Sequence, residues 1–177
     1  MNLANILTMT RIFLVPIYLI IFYSSFENRL LYSGMILIIS GITDLLDGYV
    51  ARKYNMVTKL GTMLDPIADK LTTFSILISF TSQKLIPLWL LILLSLKELS
   101  LLIGGGILYY SGNKKVIPAD RFGKNATFSF YIAIISIIIN LPQIFITMLL
   151  YLTVALHLIA FFNYFLIFNR IMKDKEI

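Results

Sequence analysis

From Asn125 to Asn169 the chain carries no charged side chain. A membrane-spanning helix needs about 20 mostly apolar residues. That stretch is therefore long enough for two, with Asn140-Leu141-Pro142-Gln143 as the turn between them. Four further apolar runs precede it: Ile6–Phe26, Leu30–Ala51, Leu60–Gln83 and Leu85–Gly112. Of the 177 residues 59% are hydrophobic and only 14% charged, against roughly 45–50% and 25% in a soluble domain. So much apolar surface cannot be hidden in one small core. The pattern excludes a soluble enzyme, a disordered tail, a collagen-like fibre and a disulfide scaffold. It predicts an all-α integral membrane protein of six transmembrane helices, with residues 1–177 forming one domain. With no cysteine in the chain, thiol catalysis and thiolate metal sites are also excluded.

The net charge of +6 comes from fifteen Lys/Arg against nine Asp/Glu. A nucleic-acid binder would gather such an excess on a soluble face. Here the basic residues sit between apolar runs, as on the cytoplasmic side of a membrane protein, so no nucleic-acid partner is expected. Six spans place both termini on one side. That side holds Arg11, Arg52, Lys53, Lys59, Lys114, Lys115, Arg121, Lys124, Arg170, Lys173 and Lys175, and the other only Arg29 and Lys84. Eleven against two predicts a multi-pass protein of the cell membrane with both termini in the cytoplasm. The apolar run after Arg11 has no small-residue cleavage site and reads as a retained helix, not a signal peptide.

Charges inside spans are costly, roughly 2.5–3.5 kcal/mol each on insertion scales, and are functional candidates by default. Four of the nine acids lie between Asp44 and Asp69. On a helix Asp44 and Asp47 share one face, and Asp65 and Asp69 share another. The first pair closes span two and the second opens span three. Antiparallel neighbours with a short loop around Lys53–Lys59 can bring all four carboxylates to one membrane edge, forming a polar cavity on the cytoplasmic side. Four adjacent carboxylates repel unless cations sit among them. Oxygen ligands without His or Cys suit Mg²⁺, Mn²⁺ or Ca²⁺, and a pair of such ions is a known arrangement for phosphoryl displacement. Gly48 and Gly61 leave room for a ligand against the two helices. Arg52, one turn beyond Gly48, offers a planar fork for a phosphate. Pro66 falls in the first turn of span three, where a missing N–H is tolerated.

The run Asp44-x2-Asp47-Gly48-x2-Ala51-Arg52-x8-Gly61-x3-Asp65-x3-Asp69 resembles the complete signature of the CDP-alcohol phosphatidyltransferases. The opening Asn2-Leu3-Ala4-Asn5-x-Leu7-Thr8-x2-Arg11, with Pro16, is similar to that of one branch, the bacterial phosphatidylglycerophosphate synthases. So is Leu64-Asp65-Pro66-x-Ala68-Asp69-Lys70. The resemblance implies transfer of the phosphatidyl group from CDP-diacylglycerol to sn-glycerol 3-phosphate, with release of CMP, by a homodimer in the bilayer. It implies two divalent cations, Mg²⁺ or Mn²⁺, held by Asp44, Asp47, Asp65 and Asp69, with Asp69 also the catalytic base. By the same resemblance Asn5, Thr8, Asp44, Gly48, Arg52, Thr58 and Gly61 bind the CDP-lipid. Arg121 and Lys124 are the candidates for the acceptor phosphate.

The sequence departs from that branch at Ala4 (usually Pro), at Lys97-Glu98 (usually Arg-Glu), at Gly104-Gly105-Gly106 where a second Arg is expected, and at Ala126 (usually Lys). All but the first fall where an acceptor phosphate would sit. The acceptor therefore stays open between glycerol 3-phosphate, phosphatidylglycerol (giving cardiolipin), an inositol phosphate and another alcohol. A different reading, a cation channel or transporter, needs carboxylates near mid-bilayer in several spans and gives Arg52 no role. Outside the signature, Lys97-Glu98 also reads as an intramembrane ion pair, and His157 as a packing residue. Gly104–Gly106 reads as a site of close helix packing or a bend, and Phe161–Phe168 as lipid-facing surface and interfacial belt.

Overall fold

The computed structural model describes residues 3–54, 58–110 and 121–173. Among these the chain is entirely helical: α1 (Leu3–Phe22), α2 (Arg29–Lys53), α3 (Lys59–Ser82), α4 (Leu88–Tyr110), α5 (Arg121–Ile138) and α6 (Gln143–Lys173). The helices fall into two compact units, Met1–Ile86 and Pro87–Ile177.

In the first unit α1 is the central helix, and both α2 and α3 pack on it. Partner residues along α1 and α3 rise together: Asn5 with Thr58, Thr8 with Asp65, Arg11 with Asp69, Tyr18 with Ser79, and Phe22 with Phe80. The two helices therefore run parallel, while α2 returns antiparallel to them. Asn5, Thr8, Arg11, Tyr18 and Phe22 lie at helical spacing and are all buried, giving α1 a single inward stripe. Its far end is apolar and aromatic. Phe22 stacks at 5.6 Å from Tyr18 and 5.3 Å from Phe80, and the Tyr18 hydroxyl meets Ser79 Oγ at 2.5 Å. At that end Arg29 donates to Gln83 Oε1 at 2.9 Å and to the Phe22 carbonyl, tying the start of α2 to the ends of the other two helices.

In the second unit α5 and α6 form a hairpin, with α4 alongside α6. The turn between them is where the sequence places it. Asn140 takes a left-handed conformation at φ 54°, which Asn tolerates. Ser129 and Thr153 hydroxyls meet at 2.8 Å between α5 and α6. Gly104 lets α6 close on α4: a Cβ there would stand 3.0 Å from the Tyr164 hydroxyl. Of the glycine run only Gly104 shows the expected close packing, since a Cβ on Gly105 or Gly106 would meet no atom within 4 Å among the described residues. Tyr164 thus points inward, while Phe162 and Phe165 face outward. The expected lipid-facing stretch is one face of a helix, not a continuous belt. His157, buried, hydrogen-bonds the Thr153 carbonyl at 2.9 Å, and the half-buried Lys97 pairs with the buried Glu98 at 2.7 Å, both in line with the sequence reading.

Large apolar side chains such as Ile20, Leu45, Phe128 and Leu166 point outward, while Ser33, Ser40, Thr72, Ser79, Ser136 and Thr153 are buried. Outward oil with small polar groups between helices is the pattern of packing in lipid, where association rests on close contact and interhelical hydrogen bonds. The protein is an integral membrane protein. Four helices, α1, α2, α4 and α6, contain stretches long and apolar enough to cross a bilayer. The other two of the expected six differ for separate reasons. α3 has the length, but its first half carries Asp65, Asp69 and Lys70. The apolar part of α5, Phe122–Ile138, is shorter.

Replacing Phe80 by Ala removes the ring that closes the α1–α3 stripe. The resulting cavity should lower unfolding free energy by about 3–5 kcal/mol, measurable by detergent-denaturant titration of the purified protein.

Candidate active site

α1 brings to the site a face of polar residues spaced by three: Asn5, Thr8 and Arg11. The last turns of α2 bring Asp44 and Asp47, and the first turns of α3 bring Asp65 and Asp69. Each acidic pair shares a face, as the spacing predicts. What unites the two pairs is α1. Among the described residues α2 and α3 both pack on α1 and not on one another, so the quartet is assembled through a third helix.

The Arg11 guanidinium lies at the centre, only 2% exposed. Its Nη2 stands 2.6 Å from Asp44 Oδ1 and 2.5 Å from Asp47 Oδ2, and its Nη1 stands 2.5 Å from Asp69 Oδ1. The Thr8 hydroxyl, also buried, joins the remaining acid: Oγ1 is 3.1 Å from Asp47 Oδ2 and 2.9 Å from Asp65 Oδ1. All four carboxylates thus belong to one hydrogen-bonded cluster. Asp47 is its buried member, at 5% side-chain exposure, whereas Asp44 and Asp69 stand half open at 49% and 56%. A ligand arriving from outside meets Asp44 and Asp69, with Asp47 behind them.

Arg11 corrects one step of the sequence reading. The charge pattern groups it with the loop cations that mark the cytoplasmic side, but it is a buried counter-ion of the acid cluster. The charge asymmetry survives without it, at ten against two. The cue was present in Asn5-x2-Thr8-x2-Arg11, whose spacing puts three polar groups on one face of an apolar helix.

A second group of predicted residues closes the mouth of α3. Thr58 caps that helix, its hydroxyl accepting from the Gly61 N–H at 3.0 Å and donating to Asn5 Oδ1 at 2.9 Å. The space in front of Gly61 is filled by Asn5: a Cβ there would come within 2.7 Å of Asn5 Oδ1. In this arrangement Gly61 admits the start of α1, where a ligand was expected. Gly48 is half-buried, one residue past Asp47. The side chain of Arg52 lies outside the described residues, as does that of Arg121. Lys124 is exposed on α5, in the second unit.

The donor chemistry of the cluster is all oxygen, from carboxylates and a hydroxyl, which suits hard divalent cations. Four carboxylates face one guanidinium, and Lys70 adds a second positive charge near Asp69, so the formal charge of the group stays negative. In the arrangement with Arg11 among them, no three acidic side chains among the described residues converge on a single ion position. Asp44 and Asp47 nevertheless already converge on one cationic nitrogen. In charge and donor type the residues fit a divalent ion.

A family model, CDP-alcohol phosphatidyltransferase, matches residues 1–162. The chain belongs to this family. A CDP-diacylglycerol–glycerol-3-phosphate 3-phosphatidyltransferase of Bacillus subtilis is 36% identical over 154 residues, 80% of this chain and 79% of its own length. One of the same name from Aquifex aeolicus is 35% identical over 141 residues, covering 77% and 75%. A CMP-forming cardiolipin synthase of Streptomyces coelicolor is 38% identical over 133 residues, covering 73% of this chain and 61% of its own. This chain is an enzyme of the phosphatidyltransferase class.

Because a Cβ on Gly61 collides with Asn5, Gly61→Ala should cost about 1–3 kcal/mol through overpacking. Combining it with Asn5→Ala should recover part of that loss. Thermal unfolding of the single and double variants in detergent checks both statements.

Proposed function

We propose that this phosphatidyltransferase moves the phosphatidyl group of CDP-diacylglycerol onto sn-glycerol 3-phosphate, producing phosphatidylglycerophosphate and CMP. The observation that carries the reaction class is the clustering of the four signature aspartates around Thr8 and Arg11. The acceptor is supported by the relatives named for glycerol 3-phosphate, which match most of both chains. The Streptomyces coelicolor relative keeps a second acceptor, phosphatidylglycerol, as the alternative.

In this reading one domain extends through both units, as the span of the family match supports. All six helices cross the membrane, with both termini and the acid cluster at the cytoplasmic edge, where the basic loops lie. The protein works as a homodimer, as the resemblance implies. Asp44, Asp47, Asp65 and Asp69 hold two divalent cations, Mg²⁺ or Mn²⁺. When bound, these supply neutralisation of the diphosphate charge as CMP departs. The CDP moiety lies along Asn5, Thr8, Asp44, Gly48, Arg52, Thr58 and Gly61, with the acyl chains left in the bilayer. The acceptor phosphate is held by Arg121 and Lys124. Asp69, half open and facing outward from the cluster, accepts the proton of the attacking hydroxyl. The new bond forms between that oxygen and the lipid-bearing phosphorus. The bond to the oxygen shared with CMP breaks, and CMP carries away the electron pair.

Purified protein with labelled CDP-diacylglycerol and Mg²⁺ or Mn²⁺ should release CMP with glycerol 3-phosphate, and not with inositol phosphate. Turnover with phosphatidylglycerol in its place would select the alternative acceptor, and no CMP release with any acceptor would refute the class. Chelation should abolish turnover, and re-addition of either ion should restore it. Asp69→Asn should lower kcat by about 10²-fold or more, in line with the loss of a general base, with a smaller effect on KM for the CDP-lipid.

A further inference from the structure

The acid cluster contains a cation of its own. Arg11 is buried, and two of its nitrogens engage oxygens from Asp44, Asp47 and Asp69 at 2.5–2.6 Å. Its Nε has no hydrogen-bond partner among the described residues, and the partners the guanidinium has there are these acids. A divalent ion takes carboxylate oxygens at about 2.0–2.6 Å, close to where the two guanidinium nitrogens now stand. A guanidinium nitrogen and a metal ion cannot both sit inside that distance of the same lone pair. Asp44 Oδ1 and Asp47 Oδ2 converge on Nη2, the one point of the described cluster where two carboxylates already share a cation.

We infer that Arg11 is a resident counter-cation that closes the aspartate cluster in the absence of divalent ions and competes with them for its oxygens. Arg11 is then a positioning residue. It keeps four mutually repelling carboxylates gathered across three helices until metal loads, and it sets how tightly metal is held. This rests on the reading that the quartet binds divalent cations. It adds that loading must displace an internal charge, so the site trades metal affinity for stability of the metal-free fold.

The experiment measures Mn²⁺ affinity, through the electron paramagnetic resonance of free Mn²⁺, together with thermal unfolding, on the full chain in detergent. Arg11→Met keeps most of the side-chain volume without the charge. Arg11→Gln keeps a hydrogen-bond donor and serves if the Met variant does not fold. Removing a charge that competes directly should tighten Mn²⁺ binding by about tenfold or more. In chelator the variants should unfold at least about 4 °C below the parent, with the gap closing at saturating Mn²⁺. Mn²⁺ affinity that is unchanged or weaker in the neutral variants overturns the competition and leaves the metal reading standing. Asp65→Asn, which removes an acid that Arg11 does not touch, reports on that reading separately. If the parent chain binds no Mn²⁺ and Asp65→Asn alters nothing, the metal reading fails and this inference fails with it.

Discussion

The structure depends on holding like charges together in a place hostile to any charge. Asp44, Asp47, Asp65 and Asp69 come from two helices that, among the described residues, do not pack on one another, and Arg11 and Thr8 on α1 bind them into one group. At reduced dielectric the mutual repulsion of carboxylates is several-fold stronger than in water. The same condition strengthens their attraction to a guanidinium in their midst. The first unit is therefore organised around α1 twice over. Its aromatic end is joined to α3 by Tyr18 and Phe22, and its polar end to α2 and α3 by ion pairs. Because α1 and α3 run parallel, one stripe of α1 serves both the packing and the site.

The surrounding fold shows how a chain in lipid makes room for such a cluster. Most helices turn large apolar side chains outward and keep small hydroxyl residues between them, so backbones approach closely; Ser33, Thr72 and Ser136 satisfy their hydroxyls on their own helix, while Ser79 and Thr153 reach partners across helices. α3 departs from this rule. Its second half, from Thr72 through Phe80, packs like its neighbours, while its first half is given over to Asp65, Asp69 and Lys70. Thr58 anchors that first half by capping the helix and bonding Asn5, and Gly61 lets α1 come close enough for the bond to form.

The helices, the turn at Asn140 and the facing of each aspartate pair were legible in the sequence because each follows from spacing within one segment. What brings the pairs together was not, because that is a property of three segments at once. Arg11 shows the difficulty most clearly. A single cation near the start of an apolar run weighs the same in a count of loop charges whether it points to water or into a bundle. Only the partners on α2 and α3 distinguish the two. Gly61 poses a similar difficulty. A missing side chain in the sequence signals space, and whether a ligand or a neighbouring helix fills that space is decided elsewhere in the chain. Tyr164 sits among outward-facing phenylalanines, and its inward turn depends on Gly104, sixty residues earlier.

The charge balance of the cluster also bears on the order in which it can be used. With Arg11 in place and Lys70 near Asp69 the cluster is still formally negative, so a diphosphate, itself anionic, meets repulsion at the mouth formed by Asp44 and Asp69. Cations must join the cluster before or together with such a ligand, since one guanidinium cannot neutralise both. A site with permanent positive charge would escape this restriction, but it would also hold any phosphate or anionic headgroup at the membrane surface. A negative site that becomes receptive only when cations are supplied is selective for ligands that arrive with them or after them. In the metal-free state Arg11 is what prevents that selectivity from being bought with an unstable bundle.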